Sequence, residues 1–286
     1  MRRFAHSRID RWTTARLIRV ALAHGTASRG WDAVAALHRR GSQEILARAE
    51  ALFRSASVRR RALALDIVAQ LREPHRRGPD PAAPFGIEAA QAMLVAALDD
   101  RDGGVLQSAI AGLGHCPVPG LLPRLIAFEA HHDSRVRWAL VHTLDSYREP
   151  ESVAALMRLA ADRDDEVRDW ATFSIGTLSE ADDDAVRALL WKNAFDSCRD
   201  VRGEALVGLA RRSDPRIIEL LKERLLDDDC RVYELEAAEE MPRAELLDTL
   251  LRLRDDAERL HDLDPTWHRH LLDAIDACEL VADATS

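Results

Sequence analysis

DSRVRWALVHTL, residues 133–144, is the stretch on which the reading of this chain turns. An aspartate opens it, Val136-Arg137 follows, and apolar residues recur at Leu140, Val141 and Leu144. Counted from the valine, those positions form one face of an α-helix. The aspartate stands where an N-cap or first-turn acid serves free backbone N–H groups. The same phrase returns as DDEVRDWATFSIGTL at 164–178 and as DVRGEALVGLAR at 200–211, with Val167-Arg168 and Val201-Arg202 at its head. Val105 and Val232 hold the valine position with Leu106 and Tyr233 in place of arginine. The steps from Val105 to Val232 are 31, 31, 34 and 31 residues. A period in that range predicts stacked helical hairpins rather than a single globular core.

Between the phrases lie second helices, and Pro123, Pro150, Pro215 and Pro242 mark their starts, where a missing N–H costs nothing. Upstream, VRRRALALDIVAQL at 58–71 reads as another first helix headed by Val58-Arg59. Its partner, Ile87 to Leu98, is delayed by an insertion over residues 72–86 that carries four prolines, Pro74, Pro79, Pro81 and Pro84. Insertions between the helices of a hairpin are places where function collects. Trp31 to Arg39 and Ser42 to Phe53 are predicted to form a further hairpin. The expectation is an all-α fold: a right-handed α-solenoid of about six to seven hairpins with capping helices. Its layout is an N-terminal cap over residues 1–30, a repeat array over 31–255 and a C-terminal cap and tail over 256–286.

The segments Asp133 to Leu144, Asp164 to Leu178 and Asp200 to Ala210 resemble HEAT repeats of the bacterial phycobilisome-lyase-like type, and the resemblance covers roughly residues 31–255. It implies the fold strongly and the function weakly. That broad group includes chromophore-lyase subunits, an alkyl-purine DNA glycosylase, a hydroxylase of modified lysine and many scaffolds. In such arrays the repeated arginine pairs with an aspartate of a neighbouring turn, so Arg59, Arg137, Arg168 and Arg202 are expected to be structural.

The formal net charge is −9, and it is unevenly spread. Residues 1–86 hold 17 basic and 7 acidic side chains, a balance of +10; the remainder holds 23 and 42, a balance of −19. Cys116, Cys198, Cys230 and Cys278 lie far apart with no CxxC, which fits a reducing, cytoplasmic compartment. The longest apolar run near the N-terminus, Val20 to Ala23, is too short for the core of a secretory leader, and no window approaches the roughly 20 apolar residues of a membrane span. Only Lys192 and Lys222 are lysine among 40 basic residues, which points to a GC-rich, bacterial genome.

No catalytic constellation rides on the repeats. There is no phosphate-binding glycine loop, no GxSxG and no Ser-His-Asp order. The hydroxylase resemblance would need His-Glu pairs, and none occurs; His131-His132 and the group of His261, His268 and His270 lack metal-ligand spacing, so neither metal nor cofactor is expected. The favoured reading is a non-enzymatic protein- or peptide-binding scaffold, whose second helices present a curved, mainly acidic surface to a cationic partner. Candidate contacts are Trp138, Trp170, Trp191, Asp169, Glu151, Asp183 and Glu219. The alternative is a nucleic-acid-binding protein of glycosylase-like kind that uses Arg39, Arg40, Arg59, Arg60, Arg61, Arg72, Arg76 and Arg77. A glycosylase groove at Trp138, Trp170 and Trp191 beside Asp169 would instead lie in the acidic middle of the array and forfeit the counterion release behind most DNA affinity. A chromophore-lyase-like subunit is the third reading, and no membrane is implied.

Overall fold

The computed structural model describes residues 8–25, 27–74, 83–227, 230–257 and 264–285. Among them are sixteen α-helices and no strand, and the fold class is an all-α solenoid of helical hairpins. The chain divides into two compact units, Met1–Ser152 and Val153–Ser286.

The first unit holds α1 (Thr14–His24), α2 (Ser28–His38), α3 (Gln43–Phe53), α4 (Val58–Val68), α5 (Ile87–Ala97), α6 (Gly103–His115), α7 (Leu122–Ile126) and α8 (Ser134–Leu144). The division falls in α9 (Pro150–Leu159). Here α4, α6 and α8 are the first helices of successive hairpins, and each stacks on the next. Buried Thr143 on α8 fixes one of these joints by donating to the Ile110 carbonyl of α6 at 2.7 Å. The expected hairpin of Trp31–Arg39 with Ser42–Phe53 is not the main packing: α2 packs chiefly on α1, and α3 on α4. The helix expected after Gly120 is short, with α7 passing into a 3-10 turn at Ala127–Ala130.

The second unit holds α10 (Asp165–Phe173), α11 (Asp184–Asn193), α12 (Arg199–Arg211), α13 (Ile217–Leu225), α14 (Val232–Glu240), α15 (Ala244–Ala257) and α16 (Pro265–Thr285). The first helices α10, α12 and α14 stack in order, and α16 closes the series against α14 and α15 with Leu271, Ala274, Ile275 and Cys278 buried. The continuous helix expected over 164–178 changes at Ser174 into a π-helical turn, Ser174–Leu178. Gly176 in that turn and Gly208 on α12 allow the close approach: a Cβ on Gly208 would stand 2.6 Å from the Gly176 Cα. Arg212 serves the carbonyls that the turn leaves over, donating to Ile175, Gly176, Ser179 and Ala181 at 2.7–3.0 Å.

The repeat register follows from the N-caps. Asp102, Asp133 and Asp164 accept backbone N–H bonds two residues on, at 2.8, 3.0 and 3.2 Å. Four residues after their caps stand Arg137, Arg168 and Arg202. Each sends Nη1 back to the carbonyl six residues earlier: His131 at 2.6 Å, Asp162 at 2.9 Å and Asp196 at 2.9 Å. On α4 the cap is Ser57, and the residue four further on is Arg61. Arg61 makes the same reach to the Ser55 carbonyl at 3.2 Å. Val58-Arg59 is therefore two residues out of phase with the other pairs. Val58 is 39% exposed, whereas Val136, Val167 and Val201 are fully buried. The local sequence misled because α4 has two more arginines, and its true valine position is Arg60.

The proline-rich insertion is pinned at its base. Arg72 and Pro84 form an isolated bridge, Glu73 N–H donates to Ala83 at 2.8 Å, and Phe85 N–H donates to Leu71 at 2.9 Å. Gly41 lies against this base, where a Cβ would collide with the Arg72 carbonyl and the Phe85 side chain.

Candidate functional site

In the second unit, one face of the first helices gathers carboxylates. It is built from register positions two, five and six residues after each cap: Glu166 and Asp169 on α10, Asp200 and Glu204 on α12, and Tyr233 and Glu236 on α14. Burial pushes the Glu204 carboxyl up to about 8, and the charges of Asp169, Glu236 and Asp200 add to the rise. Burial also pushes Asp169 up to about 6, with Asp200 and Glu166 contributing. The Tyr233 phenol is held above its ordinary value by burial and by the same carboxylates, and its hydroxyl bonds to Glu204. The Tyr233 ring needs a glycine beneath it, since a Cβ on Gly203 would run into the ring. Asp169 Oδ1 is buried without a hydrogen-bond partner. Burial comes first in each of these three shifts, and the crowded negative charge of the face adds to it at Asp169, Glu204 and Tyr233.

The structure brings some of the sequence candidates to this face. Asp169 lies in it, and Trp170 is beside it, 36% exposed with its ring edge-on to Phe173 at 5.7 Å. Trp191 is elsewhere, packed on Phe195 at 5.3 Å and covered by the Arg216 guanidinium at 5.0 Å. The second-helix acids are dispersed. Asp183 caps α11 by accepting from Val186 N–H at 2.9 Å, Glu219 pairs with Lys222 at 2.8 Å, and exposed Glu151 begins α9. Trp138, in the first unit, stacks edge-on with His142 at 4.1 Å. Sequence reasoning missed Glu204 and Glu236. Both are half-buried, a full repeat apart on α12 and α14, and no pattern within either helix marks them; on α14 the expected valine position also shifts, since Val232 is half-buried and directly follows the cap at Arg231.

The candidate arginines of the first unit also separate. Arg61 forks onto Asp100 at 2.7 and 3.1 Å. Arg40 donates to the Trp12 carbonyl at 2.7 Å. Arg39, Arg59, Arg60 and Arg72 are exposed, whereas Arg76 and Arg77 lie outside the described residues. Of the histidines, His270 pairs with Glu239 at 2.6 Å, and His261 lies outside the described residues. Among the described residues no group of three or more His, Cys, Asp or Glu could hold a metal ion, and no helix is long and apolar enough to cross a membrane.

Residues 91–176 match the family model described as HEAT repeats. Over 128 residues the chain is 30% identical to Protein YibA of Escherichia coli K12, and equally so to the YibA of strain O157:H7; this is 44% of the present chain and 45% of each relative. The chain thus matches less than half the length of those curated relatives. The X-ray structure of E. coli YibA superposes with a TM-score of 0.70 at 21% identity, covering 98% of this chain and 99% of that one, which shows the shared fold. A crystal structure of an engineered protein aligns at 18% identity with a TM-score of 0.49, covering 92% of this chain and 77% of the other.

Proposed function

We propose that this chain of HEAT repeats is a binding scaffold whose second unit grips a cationic segment of a protein partner along the face of α10, α12 and α14. The observation that carries the reading is the crowding of carboxylates on this face: Asp169 Oδ1 is buried without a hydrogen-bond partner, and burial with neighbouring negative charge holds Asp169 at about 6 and Glu204 at about 8. A lysine or arginine laid between them would relieve that repulsion, and the charge match would speed association and select the partner. Tyr233 and exposed Trp170 add aromatic surface of the kind that anchors peptide contacts. The second unit lies wholly within the segment whose balance is −19, so long-range attraction acts in the same direction.

Affinity capture from the source cell, read by mass spectrometry, tests this reading. Wild type should retain basic proteins that a variant with Asp169→Asn, Glu204→Gln and Glu236→Gln does not. Retention of the same proteins by both would contradict it.

A further inference from the structure

The first unit contains a pocket of about 220 Å3 between α1, α2, α4 and α6, with Arg135 of α8 at its edge. That is smaller than the roughly 300–1,000 Å3 of pockets for drug-sized ligands. Its presence follows from the register of α4. With Arg61 in the structural position, Arg59 is displaced to an outward one, and Asp66 stands seven residues on, two turns along the same face. Arg59 and Arg135 each lie two residues after their caps on α4 and α8, so both cations come to one rim.

The walls differ in chemistry from mouth to floor. At the mouth are three exposed side chains: Trp31, Arg59 and Arg135. The Arg59 guanidinium lies beside Gly25, 3.1 Å from where a Cβ would stand, and makes no ion pair among the described residues. Arg135 is anchored by a fork to Asp133 at 3.1 and 2.7 Å. Buried Val34 and Leu63 supply hydrocarbon between mouth and floor. At the floor, Asp66 bonds with Ser108, and burial pushes its carboxyl up to about 6. His38 does not neutralise it, since its Nε2 donates to the Asp66 backbone carbonyl at 2.8 Å rather than to the carboxylate.

A carboxylate at the bottom, hydrocarbon walls and two guanidinium groups at the rim form a charge pattern whose complement is specific. The geometry points to a zwitterion with an aliphatic spacer as the ligand: an ammonium group on Asp66, methylenes against Val34, Leu63 and Trp31, and a carboxylate held by Arg59 and Arg135. A free ω-amino acid has this chemistry, and so does the lysine at the C-terminus of a polypeptide. The acidic face of the second unit has no part in this inference, so either can fail alone.

The test is calorimetric titration of the full chain with 6-aminohexanoate, hexanoate and hexylamine. 6-Aminohexanoate should bind about tenfold or more tightly than either single-charge analogue, because each loses one charge-assisted contact. Asp66→Asn and Arg59→Ala should each weaken 6-aminohexanoate by a similar factor, and the exposed position of Arg59 keeps that variant informative should Asp66→Asn unfold. A peptide ending in lysine and the same peptide with an amidated C-terminus separate the two sources. Binding of the free-acid peptide alone identifies a chain end, and binding of 6-aminohexanoate with neither peptide identifies a small free molecule. Hexanoate binding as tightly as 6-aminohexanoate, no binding of 6-aminohexanoate at millimolar concentration, or no effect of Asp66→Asn and Arg59→Ala would overturn the proposal.

Discussion

Arg168 and Asp196 are joined by two hydrogen bonds, Nε to Oδ2 at 3.1 Å and Nη2 to Oδ1 at 2.8 Å, with both side chains largely withdrawn from solvent. Asp196 also accepts from the backbone N–H of Cys198, the cap of α12, at 2.8 Å. One arginine of α10 thus holds the turn that starts the next first helix. Arg61 and Asp100 repeat the arrangement between α4 and the turn before α6. This is a structural use of the arginine ladder, and it leaves Arg168 turned away from any partner.

Asp196→Ala removes that turn's anchor and leaves a partly buried guanidinium with fewer acceptors. Hydrogen bonds to charged groups contribute about 1.5–3 kcal/mol, and a loss in that range is the expected outcome. Urea denaturation measures it; a midpoint equal to wild type would show the pair to be dispensable.

Leu206 is 1% exposed at the centre of α12. Leu206→Ala should cost about 2–5 kcal/mol, the usual range for a buried leucine. In a repeat array such a loss spreads to neighbouring hairpins. A denaturation shift below about 0.5 kcal/mol would place Leu206 outside the core, contrary to the repeat register.

Gly208→Ala tests the close approach of α12 to the π-helical turn. The added Cβ meets backbone, the Cα of Gly176 at 2.6 Å, and backbone cannot step aside as a side-chain tip can. Overpacking of this kind costs about 1–3 kcal/mol. An unchanged or raised melting temperature would mean that the helices separate without penalty.

The first helices were legible in the sequence because their valines recur at a near-constant step and their aspartates cap them. Val136, Val167 and Val201 are buried as the pattern requires. Two things escaped. At Val58-Arg59 the same dipeptide occurs by coincidence in an arginine-rich turn, and only the cap at Ser57 reveals the shift. The acidic face was sought on second helices, where Asp183 and Glu219 are spent on a cap and an ion pair. Glu204 and Glu236 became visible only once α12 and α14 lay side by side, since their coupling joins residues a full repeat apart.

Glu204 also makes stability depend on pH in a definite direction. Its folded value of about 8 lies above that of an unfolded glutamate, about 4.3, so the folded chain binds more protons in that interval. Its contribution to stability is therefore present at low pH and is lost as pH rises through about 8. Glu204→Gln should leave the melting temperature near wild type at pH 4.5 and raise it relative to wild type at pH 9. A difference that is constant across that range, or that reverses sign, would show that Glu204 is not strained by its neighbours.

The scaffold reading stands or falls on what the face of α10, α12 and α14 holds. Fluorescence anisotropy of a labelled lysine-rich peptide with an amidated C-terminus, titrated with the full chain at two salt concentrations, measures this directly. The expected result is saturable binding that weakens with salt, is lost when Asp169→Asn, Glu204→Gln and Glu236→Gln are combined, and is unchanged by Arg59→Ala. Binding equally strong in the triple variant, or stronger binding of a nucleic acid than of the peptide by the wild type, would contradict it.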